Sequence, residues 1–203
     1  MLVADRGELL RVDLADGTIV SRLRITPRPA GVVTALAMAQ ADGAVYATYC
    51  GRTGSLPRAE LAEIDPSTGR VIAHQYYGTT FYGRYELTAV AGGVWLAAGA
   101  GGNGIWLRFY TERDLRLTYS AGGIGNFYLR VAGHLLLETQ AGGGLLACFQ
   151  VGRGGVVRAT SSISRAFILY PVGLVDDGEK ILGVRSQPAA VLLGQAPRHC
   201  ADP

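Results

Sequence analysis

Lysine is almost missing from this sequence. Among its 19 Lys and Arg residues, Lys180 is the single lysine. Arginine without lysine, alongside abundant alanine and glycine, is typical of a GC-rich coding sequence, so arginine content alone is no argument for nucleic acid. A nucleic-acid-binding domain more often carries a dense basic stripe, whereas the basic residues here are scattered and the net charge is only +3. We therefore predict no nucleic-acid partner.

Cysteine and long apolar runs are also scarce. The three cysteines, Cys50, Cys148 and Cys200, lack the C-x-x-C spacing of a zinc or redox motif. No apolar stretch approaches the roughly 18 residues that cross a bilayer, and the first residues lack the basic and apolar regions of a signal peptide. We expect a soluble chain with no transmembrane segment, in an unknown compartment, which would be secreted or periplasmic if the N-terminus is truncated.

Helical periodicity is missing as well, because no segment keeps apolar residues at helical spacing over three turns. The chain has 203 residues, of which 49% are hydrophobic, and can bury a core of ordinary density in one domain. Its short apolar and β-branched runs are separated by Gly and Asp turn signals. That pattern predicts an all-β chain.

One hairpin phrase recurs along the chain. Residues 8–20 read Glu-Leu-Leu-Arg-Val-Asp-Leu-Ala-Asp-Gly-Thr-Ile-Val, and residues 60–72 read Glu-Leu-Ala-Glu-Ile-Asp-Pro-Ser-Thr-Gly-Arg-Val-Ile. A weaker copy follows at 108–117, and a better fourth copy at 147–157. We place the equivalent turn positions of the four copies at Gly17, Gly69, Asp114 and Gly154.

A second hairpin type lies between these copies, with tight turns at Gly43, Gly93, Gly133 and Gly178. Two hairpins in each period of about 45 residues give four strands per unit, as in a β-propeller blade. We label these strands A to D, with the second hairpin type joining A to B and the first joining C to D. The predicted units are a partial blade at 1–25, blades at 32–77, 85–120 and 127–161, and a partial blade at 168–194. They form one predicted domain, 1–196, with a tail at 197–203.

The predicted strands amount to about four and a half four-stranded antiparallel blades, a partial or open ring. The first partial blade carries strands B, C and D and the last carries A, B and C, so the two cannot fuse into one blade. We expect a truncated propeller. Self-association that completes the ring and a misassigned weak repeat remain the alternatives.

The phrases at Val12–Val20 and Ile64–Ile72 resemble the repeats of YVTN-type and quinoprotein-type (PQQ-like) β-propellers, and streptogramin-lyase-like propellers use similar phrases. The resemblance implies an all-β, WD40-like superfold and a bacterial source. The shared motif, however, is structural and serves many functions. The tryptophan that often ends a PQQ-type repeat is absent after Val20, Ile72 and Val157. No position matches a quinone-binding or lyase constellation, so no functional residue is carried over and no cofactor is predicted.

Residues Gly99–Gly104 match G-x-G-x-x-G, but a dinucleotide site needs a following helix, and Ile105–Tyr110 is strand-like. We interpret the glycines as a loop between strands B and C. Asp176–Glu179 lacks the alternating oxygen ligands of a calcium loop and is interpreted as a turn.

Other candidate chemistry is equally weak. A metal site formed by the tail residues His199, Cys200 and Asp202 is conceivable but not predicted. The serines at 161, 162 and 164 lack a nucleophile elbow. We therefore predict no catalytic residue and no metal ligand.

Charge is the one asymmetry that suggests a function. In a propeller the D–A and B–C connections share one face and the A–B and C–D turns share the other; we call these the arginine rim and the acidic rim. The predicted partner-binding residues of the arginine rim are Arg28, Arg52, Arg58, Tyr82, Arg84 and Arg165. We predict a non-catalytic binding module for a protein or a polar or anionic small ligand. The alternative is a fragment of a quinoprotein-type dehydrogenase or of a streptogramin-lyase-like enzyme.

Overall fold

A computed structural model describes most of the chain. It covers residues 2–5, 7–26, 31–38, 43–53, 56–78, 85–99, 105–124, 126–132, 135–140, 145–151, 157–164, 173–176, 180–184 and 191–195. Side chains are described at residue 2 and within 7–26, 43–49, 59–77, 87–97 and 106–121. Every regular element in these ranges is a β-strand, so the all-β prediction is confirmed.

The strands form five antiparallel sheets. Sheet 1 contains β1 (Leu2–Asp5), β2 (Glu8–Val12) and β3 (Ile19–Arg24); sheet 2 contains β4 (Gly31–Met38), β5 (Val45–Thr53), β6 (Leu56–Ile64) and β7 (Val71–Gly78). Sheet 3 contains β8 (Tyr85–Val90), β9 (Gly93–Gly99), β10 (Ile105–Thr111) and β11 (Leu117–Ile124). Sheet 4 contains β12 (Asn126–Ala132), β13 (Leu135–Gln140), β14 (Leu145–Val151) and β15 (Val157–Ser164), and sheet 5 contains β16 (Gly173–Asp176), β17 (Lys180–Val184) and β18 (Val191–Gln195).

Within each sheet the strands pair in chain order, and successive sheets meet along their first strands. β1 contacts β4, β4 contacts β8, β8 contacts β12, and β12 contacts β16. The predicted architecture of four-stranded antiparallel blades arranged as an open ring is therefore confirmed. Among the described residues, no strand pairing joins sheet 1 to sheet 5. The division into one domain at 1–196 and a tail at 197–203 stays a prediction.

Sheet 2 has a hydrophobic core against each of its faces. Side chains alternate across a strand, and in β5 both sets are buried: Val45, Ala47 and Tyr49 lie in a core with Leu9 and Ile25 of the first repeat. The alternate residue, Tyr46, lies in the core shared with sheet 3. That second core contains Ala44, Tyr46, Ala59, Leu61, Tyr77, Leu87, Val94, Leu96, Tyr110 and Leu115.

Sheets 1 and 2 are also joined through the backbone. The Thr26 N–H donates to the Gly69 carbonyl at 2.9 Å, and the Val71 N–H donates to the Thr26 carbonyl at 2.8 Å. Gly69 has a φ of +72° and lies against the Arg24 carbonyl, so the turn of sheet 2 approaches the chain leaving β3 without an intervening side chain. Glycine is required here for both its conformation and its size.

The three described C–D turns share one hydrogen-bond pattern, which corrects the repeat alignment. Asp13 N–H donates to the Thr18 carbonyl, Asp65 N–H to the Arg70 carbonyl, and Thr111 N–H to the Arg116 carbonyl. By this pattern Leu115 (φ +48°), not Asp114, occupies the position of Gly17 and Gly69. The assignment of Asp114 was wrong, because Asp114 occupies the position of Asp16: its Oδ1 accepts from the Arg116 N–H as Asp16 Oδ1 accepts from the Thr18 N–H.

In the part of the chain that the structure describes, no helix long and apolar enough to cross a membrane is found.

Candidate functional site

The arginine rim is described only in part. Of the residues predicted for it, Arg28, Tyr82, Arg84 and Arg165 lie outside the described residues. The other two, Arg52 and Arg58, lie in β5 and β6 rather than in the connecting loop, where Arg52 is paired with Pro57 and Arg58 with Gly51. The structure therefore leaves the predicted set untested.

The best-described arginine next to the arginine rim is Arg108, which lies between sheets 2 and 3. Arg108 lies in β10, and its Nη1 donates a hydrogen bond of 2.8 Å to the carbonyl of Tyr77 in β7. Its guanidinium carbon lies 4.8 Å from the ring centroid of Trp106, within cation–π range. Two elements from adjacent sheets thus hold the guanidinium in place.

No charged partner of the half-buried Arg108 is found among the described residues. Among the described residues it takes part in no ion pair, and its buried Nε has no hydrogen-bond partner. Burial raises the pKa of the neighbouring Tyr110 hydroxyl, and hydrogen bonding to Arg108 opposes that increase.

Aromatic surface lies next to this charge. Trp106 is 43% exposed. An exposed aromatic ring beside an arginine is typical of binding hot spots. We call the surface of Trp106 and Arg108 the Trp106 patch.

The acidic rim is built from the C–D turns. In the turn at 65–70, Asp65 Oδ1 accepts hydrogen bonds from the Ser67 N–H at 2.8 Å and the Ser67 hydroxyl at 2.6 Å. These bonds lower the pKa of Asp65 to about 2, so the carboxylate stays ionised. In the turn at 111–116 the Thr111 hydroxyl donates to Asp114, and this bond lowers the pKa of Asp114.

A pocket of about 440 Å³ opens on this rim between sheets 2 and 3. It is formed where the A–B and C–D turns of sheet 2 face the C–D turn of sheet 3. Its lining residues are Gly43, Ala44, Glu63, Asp65, Pro66, Ile72, Glu112 and Arg113. We call it the Glu63 pocket.

Glu63 is the unusual residue of this pocket. It lies near the end of β6 with only 2% of its surface exposed, and its Oε2 accepts a hydrogen bond of 2.7 Å from the Arg113 backbone N–H in the next sheet. Burial raises the pKa of Glu63, the Arg113 N–H lowers it, and the nearby Glu112 and Asp114 carboxylates raise it further. A buried carboxylate with one donor is poorly solvated at neutral pH.

The raised pKa of Glu63 predicts how the stability of the Glu63→Gln variant, relative to the native chain, changes with pH. The folded protein binds the Glu63 proton more tightly than the unfolded chain does, so ionisation removes stability as pH rises from the ordinary value of 4.5 through the folded pKa. Glutamine does not ionise, so the Glu63→Gln variant does not lose this stability as pH rises. Its side-chain oxygen can still accept the hydrogen bond from the Arg113 N–H. We expect it to gain stability relative to the native chain between pH 4 and pH 7, as measured by urea unfolding at each pH.

Asp65→Asn is the control, and the opposite effect on stability is expected for it, because the Asp65 pKa is lowered from 3.8 to about 2. Its ionised form stabilises the folded chain above the unfolded value, and that contribution is lost as pH falls toward 2. The variant should be less stable at pH 7, with the difference shrinking below pH 4. A stability difference for Glu63→Gln that does not change with pH would contradict the buried-carboxylate interpretation.

The remaining chemical candidates are less informative. Among the described residues no group of three or more His, Cys, Asp or Glu side chains could hold a metal ion. The tail residues His199, Cys200 and Asp202, most of the glycine run at 99–104 and the residues 177–179 lie outside the described residues. The serines at 161, 162 and 164 lie in β15.

Sequence reasoning missed Trp106, Arg108 and Glu63 as site residues. Each is a polar or bulky residue inside an otherwise apolar strand, which is the only signal that the sequence offers. In Glu60-Leu-Ala-Glu-Ile64 the strand period places Glu60 and Glu63 on opposite faces. Both are buried, so the sequence alone does not indicate which of them borders a pocket.

Comparisons with known proteins support the fold. No family model and no curated protein sequence matches the chain. A solved structure of the Dos1 propeller is similar over 96% of this chain, with a TM-score of 0.52 and 12% sequence identity. The hydrazine synthase of Kuenenia stuttgartiensis is similar over 94% of this chain, with a TM-score of 0.61 and 11% identity.

This chain spans less than two thirds of either solved chain, 62% of the first and 65% of the second. At identities this low, the comparisons show a shared fold and leave the activity undetermined. The chain therefore has a β-propeller fold. The finer resemblance to YVTN-type and PQQ-like repeats stays a prediction, as does the alternative of an enzyme fragment.

Proposed function

We propose that this β-propeller chain is a non-catalytic binding module whose arginine rim receives an anionic or polar partner. The observation that carries the proposal is Arg108, a half-buried guanidinium that is positioned by the Tyr77 carbonyl and the Trp106 ring and has no ion-pair partner among the described residues. A held, unneutralised arginine loses little side-chain entropy when it binds a carboxylate or a phosphate.

The neighbouring tryptophan supports the same function. Trp106 adds flat, partly exposed surface against which a ligand's apolar or planar groups can pack. The predicted residues would extend this surface around the rim: Arg28, Arg52, Arg58, Tyr82, Arg84 and Arg165. The contribution of these six residues to binding is part of the proposal, whereas the described geometry supports the Trp106 patch.

Tryptophan fluorescence gives a direct test. The chain has two tryptophans, and Trp95 is fully buried while Trp106 is partly exposed. Titration with an Asp/Glu-rich decapeptide should change the Trp106 emission, and the matched Asn/Gln decapeptide should bind at least about 10-fold more weakly. Arg108→Gln should weaken binding of the acidic peptide by about 10- to 100-fold, the value of one charge-assisted hydrogen bond.

Arg116→Gln is the matched control, because Arg116 is an exposed arginine in the C–D turn of the acidic rim. It should leave the affinity unchanged while removing the same charge. Equal binding of the two peptides, or equal affinities of the Arg108 and Arg116 variants, would refute the proposed site. Unfolding curves for both variants separate a binding effect from a loss of folded protein.

A further inference from the structure

The Glu63 pocket on the acidic rim is distinct from the Trp106 patch and combines charge with apolar walls. Its lining contains three carboxylates, from Glu63, Asp65 and Glu112, and one guanidinium, from Arg113. The other walls are formed by Gly43 together with Ala44, Pro66 and Ile72. Negative charge in a pocket with apolar walls selects ligands by sign as well as by shape.

The three carboxylates differ in how far hydrogen bonds and ion pairs within the protein already occupy them. Asp65 Oδ1 is occupied by the hydrogen bonds of its own turn. Glu112 lies 3.4 Å from the Arg113 Nε in an ion pair whose arginine side chain is 86% exposed. Among the described residues, Glu63 has one hydrogen-bond donor, the Arg113 N–H, which binds Oε2.

Among the described residues no donor reaches the other carboxylate oxygen of Glu63, Oε1, and Glu63 lines the pocket although only 2% of its surface is exposed. Oε1 is not sealed from solvent, so a donor that enters the pocket can reach it. A charged donor would also neutralise the carboxylate.

The apolar wall determines what such a donor is attached to. Ile72 is 52% exposed at the start of β7, although it is a large apolar side chain at the mouth of the pocket. Pro66 lies in the adjacent turn and adds a second apolar surface. Contact with a methylene chain would remove apolar surface of both side chains from water, which favours binding.

We propose that the Glu63 pocket binds an organic cation, an ammonium or guanidinium group on an apolar stem. The cation donates to Glu63 Oε1, and the stem packs against Ile72 and Pro66. A free amine and a lysine or arginine side chain of a peptide share this chemistry. The site is independent of the arginine rim, which selects the opposite charge.

The experiment uses simple probes and two-dimensional NMR of the full chain. n-Pentylamine and n-butylguanidine should shift the backbone amide signals of Glu112 and Arg113 in a saturable manner. Pentan-1-ol, which has the same stem but no charge, should bind at least about 10-fold more weakly. Spermidine and N-acetyl-lysine-methylamide then identify the source: the tighter of the two assigns the pocket to free amines or to peptide side chains, and either result supports the proposal.

Glu63→Gln tests the carboxylate itself, since glutamine keeps an acceptor for the Arg113 N–H and nearly the same volume. It should weaken pentylamine binding at least about 10-fold and leave pentan-1-ol binding unchanged. Glu8→Gln removes a carboxylate from sheet 1, where Glu8 pairs with Arg22 at 3.4 Å, and should change neither affinity. Equal binding of pentylamine and pentan-1-ol, an unaffected Glu63→Gln variant, or no saturable shift at Glu112 and Arg113 would overturn the proposal.

Discussion

Gly69→Ala is expected to destabilise the protein by about 3–5 kcal/mol, whereas Gly17→Ala should cost only about 1 kcal/mol. The two glycines occupy the same turn position with nearly the same φ, +72° and +74°. Alanine is strained in this left-handed conformation at either position. That backbone strain, which the two variants share, accounts for the smaller destabilisation expected for Gly17→Ala.

The difference between them comes from what an added methyl group would contact. At Gly17 nothing lies within 4 Å, but at Gly69 the new Cβ would overlap the Arg24 carbonyl oxygen and lie 3.1 Å from its carbon. The backbone would have to move, and the two hydrogen bonds between Thr26 and the turn of sheet 2 would be lengthened or lost. Each such bond contributes about 1 kcal/mol.

Urea unfolding of the two variants measures both values, with the native chain as reference. The comparison is internally controlled, because the substitution, the turn and the φ are the same. Equal destabilisation at the two positions would show that the contact between sheets 1 and 2 contributes nothing beyond the turn conformation.

Leu115→Gly should also destabilise strongly, by about 2–5 kcal/mol, although it restores the glycine of the other turns. Leu115 is fully buried in the core between sheets 2 and 3. Glycine would relieve the strain of its positive φ, worth about 1–2 kcal/mol, but would leave a cavity and add backbone entropy to the unfolded chain. The lost packing is the larger effect.

Arg113→Gly is the matched control for this prediction. Arg113 also has a positive φ, +70°, but its side chain is 86% exposed and makes only a surface ion pair with Glu112. Glycine there should change stability by no more than about 1 kcal/mol, because surface ion pairs contribute little. If chemical denaturation shows Leu115→Gly to be as stable as the native chain, the turn of sheet 3 is not anchored by this side chain.

The turn at 111–116 also shows how far the sequence predicts the structure. Repeated Gly and Asp positions predict hairpins because the conformations of these turns restrict the residue types that can occupy them. Where a buried leucine replaces the glycine, tertiary packing compensates for the backbone strain, and the repeat alignment slipped by one residue. The hairpins and their order were therefore predictable, while the residue that anchors the turn was not.

The candidate sites were less predictable for a related reason. The two-residue period of a β-strand predicts which face of the sheet Arg108 and Glu63 lie on. Both faces of sheets 2 and 3 are covered, so this period does not distinguish core residues from site residues. Only the three-dimensional arrangement brings Arg108 to the Tyr77 carbonyl and Glu63 to the Arg113 N–H. The contribution of Arg28, Arg52, Arg58, Tyr82, Arg84 and Arg165 to binding stays a prediction.

The backbone contact between sheets 1 and 2 has a consequence for motion. The amide hydrogens of Thr26 and Val71 are held across the boundary between two blades, not within a ladder of one blade. They become accessible to solvent exchange only when neighbouring blades part at this boundary. These two protons therefore report on hinge-like opening between blades, separately from fraying of individual strands.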